Sequence, residues 1–288
     1  MQRFMVTLSG IEYRFCTYVI SIFALLWLST QSQAQTARNT VSIPFSAHHS
    51  PAYSNYYYEE LLRLALAKTE DRYGKTAITF YPFATGRERQ RAMLKNNSGL
   101  DVIWSPTSKI REQQLLAVKF NLLPILSDYK ILLIRKEDKA KFSAINKLAD
   151  LRNFRAGTGS HWQDTHILEK NNMPTVKSWN YDPMFRMLEA KRFDYMIRGT
   201  EEIWSELELH PNSPFMIEEK LLIHYKLPVY FFVSPNNSEL ATRLKIGLEI
   251  AEKDGSLNQL LLSLPAFKKG YAEVQKNNRT LITMESAD

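Results

Sequence analysis

The sequence predicts an α/β protein built as two compact lobes. Two runs of short extended segments alternating with helices are separated from each other by further extended segments, and this alternation is typical of a parallel sheet with helices on its faces. The chain has 288 residues, of which 44% are hydrophobic and 23% charged, and this length is enough for two compact units. We expect a mixed, mostly parallel sheet in each lobe and a cleft between the lobes.

Composition excludes several classes of site. The single cysteine, Cys16, rules out a disulfide framework and a cysteine-based metal site. The formal net charge is +7, from 37 Lys and Arg against 30 Asp and Glu. These cations are scattered and form no basic block, so we expect no nucleic-acid partner. A mild positive field favours anionic small molecules, although it is also the ordinary charge of a soluble protein.

Residues 1–34 resemble a secretory signal peptide. Arg3 and Arg14 give a positive start, an apolar run follows over 15–28, and Ser32-Gln33-Ala34 offers small residues at a cleavage site. The apolar run is shorter than the ~20 residues of a membrane span. We expect cleavage after Ala34 and a periplasmic mature protein; the alternative is an uncleaved anchor.

The first α/β unit reaches from residue 39 to the helix that carries Arg111. Its strands are expected over 39–45, 77–81 and 101–104. The first helix has apolar residues spaced for one buried face, namely Tyr58, Leu61, Leu62, Ala65 and Leu66. A second helix over 86–95 is basic, and we interpret its cations as a solvated face: Arg87, Arg89, Arg91 and Lys95.

The second unit begins after two extended runs, 118–126 and 129–135. Its helices are expected over 145–151, from an N-cap at Ser160 to about Asn171, from Asp182-Pro183 onwards, and around Ile203, Trp204 and Leu207. Its later strands are expected over 176–179 and 193–197. Extended runs over 215–222 and 228–233 lead to a final helix that starts at Ser238.

The segment 154–163 reads as a strand running directly into a helix. Gly157 and Gly159 allow backbone angles that other residues resist, and Ser160 with Gln163 has the pattern of a capping box. A helix start of this kind presents free N–H groups to an anion at the carboxyl end of a strand. The junction alone is weak support, because such turns are common in structural roles.

Extended crossings near 127–134 and 222–232 divide the chain. We expect a discontinuous first lobe, 38–128 plus 229–288, and a continuous second lobe, 129–228. The carboxyl ends of the strands then face the cleft between the lobes.

Four segments, in order, resemble the amino-acid-binding periplasmic solute-binding proteins, the family 3 extracellular domains of ABC importers. They are Thr107–Arg111 with Phe120, Leu148–Leu151 with Phe154–Ser160, Leu188–Asp194, and Phe232–Pro235 with Asp254–Leu257. The resemblance covers nearly all of the mature chain. It implies the type 2 periplasmic-binding fold, two Venus-flytrap lobes that close on a small ligand.

The resemblance also implies that Arg111 pairs with a ligand carboxylate. Three departures weaken a specificity for α-amino acids. The spacing from Arg111 to Phe120 is longer than in the family, Ile43-Pro44-Phe45 replaces the family's opening motif, and the family's acid for the ligand amino group has no clean match. Glu201 is the nearest acid to that position.

We expect the ligand to be held by Arg111 on one side, and by the 157–160 junction with Arg198 on the other. Arg111 could instead be a surface residue paired with Glu112 or Glu88, and Arg198 could form a structural salt bridge with Glu201 or Glu202. Trp162 either covers the ligand or packs in the core. The candidate ligand-binding residues are Tyr56, Trp104, Ser105, Thr107, Arg111, Gly157, Thr158, Ser160, Trp162, Arg198, Thr200 and Glu201.

No metal, cofactor or catalytic residue is expected. The spacings of His48, His49, His161 and His166 do not suit a metal site. The segment 157–161 departs from the Gly-x-Ser-x-Gly elbow because His161 stands where that motif needs glycine. The sequence therefore predicts a monomeric, exported binding protein for a small, carboxylate-bearing, amino-acid-like solute that serves amino acid transport through an ABC permease in the inner membrane. The alternative is a periplasmic sensing domain or an enzyme on the same fold.

Overall fold

The structure, a computed structural model, describes residues 40–45, 50 and 54–287. The expected signal peptide over 1–34 and its cleavage after Ala34 lie outside the described residues, as do His48 and His49. No helix within the described ranges is long and apolar enough to cross a membrane.

Strands and helices alternate along most of the described chain. The strands are β1 (Thr40–Ile43), β2 (Ala77–Phe80), β3 (Val102–Pro106), β4 (Leu116–Val118), β5 (Tyr129–Arg135), β6 (Ala156–Gly159), β7 (Thr175–Ser178), β8 (Tyr195–Gly199), β9 (Phe215–Ile217), β10 (Leu221–His224), β11 (Val229–Val233) and β12 (Thr280–Thr283). The helices are α1 (Ser54–Ala67), α2 (Glu70–Tyr73), α3 (Arg87–Lys95), α4 (Lys109–Gln114), α5 (Lys139–Ser143), α6 (Leu148–Leu151), α7 (Gln163–Lys170), α8 (Pro183–Glu189), α9 (Ile203–Glu208), α10 (Ser238–Lys253), α11 (Ser256–Ser263) and α12 (Pro265–Gln275).

The first lobe is built on β1–β4 and β11. Strands β1 and β2 pair in parallel, while β11 lies antiparallel between β3 and β4. The predicted apolar face of α1 is buried in the core of this lobe together with α10, α11 and α12. Helix α10 approaches α1 so closely that a Cβ added at Gly247 would lie 2.0 Å from the carbonyl oxygen of Ala65.

The second lobe is built on a sheet with the strand order β12-β10-β5-β8-β6-β7, and β9 also pairs with β5. Strand β5, predicted over 129–135, lies in its middle and is buried on both faces. Ile131 and Leu133 pack against α8 and α9, while Leu132 and Ile134 pack against the opposite layer. This alternation follows from the two-residue period of a strand, and burial on both faces explains why its sequence is a continuous apolar run.

The second-lobe sheet is mixed, as expected, whereas the first lobe has a two-stranded parallel sheet, β1-β2, and a three-stranded antiparallel sheet, β3-β11-β4. More of the pairings are antiparallel than the sequence predicted. Strand β8 lies antiparallel to β5 and parallel to β6, and β5 is antiparallel to β9 and β10 as well. The predicted extended run over 215–222 is two strands, because Glu218 accepts hydrogen bonds from the backbone N–H groups of Lys220 and Leu221. These bonds hold a turn between β9 and β10.

The C-terminal residues correct the predicted boundary of the first lobe, which assigned all of 229–288 to it. Strand β12 pairs in parallel with β10 of the second sheet, and Ile282 is buried in that lobe's core. Helix α12, which directly precedes β12 in the chain, contacts both lobes. Its Phe267 packs on Tyr57 with ring centroids 4.7 Å apart, and a Cβ at its Gly270 would lie 2.4 Å from the carbonyl oxygen of Thr200.

The junction over 154–163 also differs from the prediction. The two glycines lie within β6 rather than in a turn after it, and helix α7 starts at Gln163 with Trp162 at its N-cap. Ser160 therefore does not cap the helix. The glycines are needed for close packing: an added Cβ at Gly157 would lie 2.4 Å from the Phe193 ring, and one at Gly159 would lie 2.4 Å from the Trp162 indole.

Candidate ligand-binding site

A cavity of ≈ 580 Å³ lies between the two lobes. This volume is in the range of small-molecule sites. Residues at or just after the ends of β3, β6 and β8 line it, in agreement with the rule that ligands bind beyond the carboxyl ends of strands in α/β sheets. Seven of the predicted site residues line it together: Trp104, Ser105, Arg111, Ser160, Trp162, Arg198 and Glu201.

Trp104 and Ser105 come from the end of β3. Trp104 is held in place by its neighbours on α1: its ring stacks on Tyr58 with centroids 5.6 Å apart, and its Nε1 donates to Asn55 Oδ1 at 3.2 Å. The tryptophan therefore forms a fixed aromatic surface on the first-lobe wall.

Arg111 lies on the same first-lobe wall and is buried there with few hydrogen bonds. Helix α4 places it, and the hydroxyl of Ser108 caps this helix by accepting from Arg111 N at 3.3 Å. Arg111 is only 6% exposed. Its Nη1 donates to the carbonyl oxygen of Pro106, but its buried Nε has no hydrogen-bond partner in the part of the chain that the structure describes. Neither Glu112 nor Glu88 pairs with it; Glu112 instead binds Lys119 and Thr107.

Arg87 and Arg91 also line the cavity, so the interpretation of α3 as a purely solvated face is wrong. Their spacing of four residues puts both on the helix face that looks into the cleft. Burial, followed by the positive charges of Arg91 and Arg87, lowers the pKa of Arg111 to about 10. Arg87 Nη1 donates to the carbonyl oxygen of Trp104 at 3.3 Å, and Arg91 pairs with Glu88.

The second-lobe wall carries Arg198 at the end of β8, and its partners are carboxylates of the helix that follows. Its Nη2 lies 2.8 Å from Glu202 Oε2, and Nε donates to Glu206 Oε2 at 2.8 Å. Its guanidinium carbon lies 4.9 Å from the Trp162 ring centroid and 5.2 Å from that of Tyr181. Burial opposes the charge of Arg198, but the two glutamates outweigh it and raise its pKa above the usual value.

Glu201 is the buried acid of the site and is 5% exposed. Burial raises its pKa to about 7, against the opposing charge of Lys130 and with a further increase from Glu202. Among the described residues its Oε2 has no hydrogen-bond partner. Gly199 is required beside it, because an added Cβ there would lie 2.7 Å from the carboxylate oxygens.

The remaining predicted residues do not line the cavity. Gly157 packs on Phe193 as described, Thr158 Oγ1 is hydrogen-bonded to Thr165 Oγ1 at 2.8 Å, and Thr107 Oγ1 donates to Glu112 at 2.7 Å. Thr200 is fully buried beneath α12, and Tyr56 packs at the edge of the first-lobe core. These side chains support the walls rather than facing the cavity.

Several lining residues were missed from the sequence, chiefly Lys130, Asp164, Trp179 and Tyr181. Lys130 lies in the apolar strand β5 and donates to the carbonyl oxygen of Ser127 at 2.8 Å. A lysine within an otherwise apolar strand was the available signal. His161, excluded as a metal ligand, lies at the cleft with its Nδ1 3.8 Å from Glu88 Oε1 of the other lobe. Among the described residues no cluster of three or more metal-ligating side chains occurs.

Comparison with known proteins identifies the fold. No protein-family model matches the chain, and no curated protein matches it. Among solved structures, an ancestral arginine-binding protein bound to arginine is 18% identical, with 80% of this chain and 99% of that chain covered and a TM-score of 0.58. The chain has the two-lobed periplasmic-binding-protein fold.

Two further matches show that this fold occurs in more than one kind of protein. The substrate-binding protein of an amino acid ABC transporter is 12% identical, with 78% of this chain and 99% of that chain covered and a TM-score of 0.55. A histidine kinase sensor domain with similarity to periplasmic binding proteins is 16% identical, with 80% of this chain and 98% of that chain covered and a TM-score of 0.59. At these identities the likeness concerns the fold alone.

Proposed function

We propose that the chain is an exported, monomeric binding protein that captures a small, carboxylate-bearing, amino-acid-like solute between its lobes. The observation that carries this proposal is the buried Arg111 beside the cavity with an unpartnered Nε. A guanidinium with a free donor is suited to a carboxylate, which accepts hydrogen bonds from two of its nitrogens. A buried N–H group without an acceptor costs free energy, so a ligand oxygen that accepted a hydrogen bond from Arg111 Nε would stabilise the bound state.

The second wall supplies the rest of the proposed site. Ser160 and Trp162 lie after β6, and Glu201 Oε2 is a second buried polar atom without a partner. Above its pKa of about 7 this carboxylate accepts from a ligand N–H or ammonium, and below that pH it donates. Glu201 thus takes the place of the acid that receives the ligand amino group in the amino-acid-binding family.

The partner of such a protein would be an ABC permease in the inner membrane, and its compartment the periplasm. The amino-acid-binding proteins of similar fold and the leader-like residues 1–34 support this placement. Recovery of the mature protein from a periplasmic extract, with Gln35 as its first residue, would agree with it. Recovery of the intact leader in the membrane fraction would contradict it.

A sensing role is the second candidate, because a histidine kinase sensor domain matches the fold as well as the transport proteins do. Deleting the gene separates the two. A transport protein's loss abolishes uptake of the labelled solute while expression of solute-responsive genes persists, whereas a sensor's loss abolishes the response and leaves uptake intact.

Calorimetry with a panel of amino acids and carboxylates tests the binding site. Loss of one charge-assisted contact costs about 1.5–3 kcal/mol, so Arg111→Ala is expected to weaken binding by about 10- to 150-fold. Arg89→Ala is the matched control, because Arg89 is an exposed cation on α3 that does not line the cavity. Unchanged affinity in Arg111→Ala would refute the site. A turnover assay on each bound compound tests the enzyme alternative, which chemical conversion would favour.

A further inference from the structure

The first-lobe wall of the cavity carries more positive charge than a single carboxylate would neutralise. Arg87, Arg91 and Arg111 face the cavity from this side, together with the acid Glu88. Glu88 pairs with Arg91 and lies 3.8 Å from His161. In the part of the chain that the structure describes, neither Arg87 nor Arg111 forms an ion pair with a carboxylate. Two formal positive charges on this wall are therefore uncompensated by its own acid.

These two arginines also have unused donors. Each guanidinium has five N–H groups. The hydrogen bonds of Arg87 and Arg111 to protein groups go to main-chain carbonyls, those of Trp104 and Pro106, which carry no charge. Arg111 Nε has none. The lowered pKa of Arg111, caused by burial and by its two arginine neighbours, indicates that like charges crowd this wall, and bound anions would relieve the repulsion.

The opposite wall contains a cation-binding arrangement that the protein itself fills. The guanidinium of Arg198 lies beside the rings of Trp162 and Tyr181 and pairs with the carboxylates of Glu202 and Glu206. Aromatic faces together with paired acids are the groups that would receive a guanidinium from a ligand. A basic solute finds this subsite occupied by the protein's own arginine.

The other charged groups at the cavity do not restore a site for a cationic side chain. Asp164 accepts a hydrogen bond from the Tyr225 hydroxyl at 2.6 Å. Lys130 adds a further cation on the second-lobe wall. Glu202 faces Arg87 across the cleft but already binds Arg198 at 2.8 Å. Glu201 remains, and one acid there suits a ligand amino group rather than a second guanidinium.

We propose that the cleft selects a solute with two carboxylates, bound against Arg87 and Arg111, and excludes solutes with a cationic side chain; this rests on the proposed function. The three arginines of the first-lobe wall and the occupied guanidinium subsite of the second carry the proposal. A single amino group on the solute is compatible with it, through Glu201. Acidic amino acids and simple dicarboxylates are therefore the class of ligand, in contrast to the arginine held by the ancestral protein of similar fold.

Matched acid and amide pairs test this directly by calorimetry on the mature chain. The pairs are glutamate with glutamine, aspartate with asparagine, and succinate with succinamate, and arginine is the cationic comparison. In each pair an amide replaces one carboxylate at nearly constant shape. We expect the acid to bind at least about tenfold more tightly than its amide in one or more pairs, the value of one charge-assisted contact. Arginine should bind more weakly than the acid of any such pair.

The Arg87→Ala variant tests the second charge. It should bring the acid-to-amide affinity ratio close to one while the amide's affinity falls less than the acid's; Arg89→Ala should leave the ratio unchanged. An amide that binds as tightly as its acid in every pair, tighter binding of arginine, or binding by none of the six paired compounds overturns the two-carboxylate preference. In each of these cases a solute with a single carboxylate that binds in an Arg111-dependent manner would leave the proposed function standing.

Discussion

Removal of the Arg198 side chain is expected to destabilise the second lobe, whatever the ligand. The substitution leaves Glu202 and Glu206 without their shared cation, and the rings of Trp162 and Tyr181 without the guanidinium that lies beside them. Breaking a buried ion pair by removing one partner costs about 3–5 kcal/mol. The side chain of Arg198 is 11% exposed and that of Glu202 is 34% exposed, so solvent screening reduces the expected loss to about 2–4 kcal/mol.

Thermal unfolding measures this loss. For a chain of this size about 1 kcal/mol corresponds to about 2–4 °C, so Arg198→Ala should lower the midpoint by about 5–15 °C at pH 7.5. Arg198→Ala with Glu206→Gln should recover part of the loss, and Arg89→Ala should show none. An unchanged midpoint in Arg198→Ala would refute this reasoning.

Three further substitutions test the packing and the buried acid, each by urea unfolding. Burial raises the pKa of Glu201 to about 7, so the folded protein binds a proton at this carboxylate more tightly than the unfolded chain does. The resulting contribution to the free energy of unfolding is complete below about pH 4 and is lost as the pH rises to about 7. Glu201→Gln should remove that part of the pH dependence, and an identical pH dependence in both proteins would contradict the assignment. Gly157→Ala should cost at least about 1–3 kcal/mol, since its Cβ would lie 2.4 Å from an aromatic ring, whereas Gly86→Ala, which meets nothing within 4 Å, should cost little; equal losses would count against the packing account. Ile282→Ala should lower the free energy of unfolding by about 2–5 kcal/mol, because Ile282 is only 3% exposed. Leu281→Ala, on the exposed face of the same strand, should cost much less, because Leu281 is 53% exposed. Unchanged stability in Ile282→Ala would contradict the placement of β12 in the sheet.

Much of the fold could be predicted because most of its strands and helices have apolar residues at the spacing typical of that element. Strand β5 agrees with the predicted run over 129–135 because a strand buried on both faces is a continuous apolar segment. Helix α1 agrees because its apolar face has the period of a helix. Strand β12 escaped prediction because its partner β10 lies about sixty residues earlier in the chain, and no local pattern reports a pairing at that distance.

The lining of the cavity was predicted in part for the same reason. Arg111, Arg198 and Trp162 follow predicted strand ends, and those ends do meet at the cavity. The sequence could not say which carboxylates each arginine meets. Arg198 pairs with Glu206 on α9 and with Glu202 just before it, whereas Arg111 pairs with no carboxylate among the described residues. Charge on a helix is equally ambiguous. Arg87 and Arg91 look solvated along the sequence, and only the packing of α3 beside β3 turns them towards the cavity.

A crystal structure of the mature protein with the tightest-binding solute from the calorimetric panel tests the central claim most directly. We expect the solute between the lobes, with a carboxylate oxygen within about 3 Å of Arg111 Nε, the distance of a charge-assisted hydrogen bond. A solute bound outside this cavity, or one whose carboxylate points away from Arg111, would contradict the account.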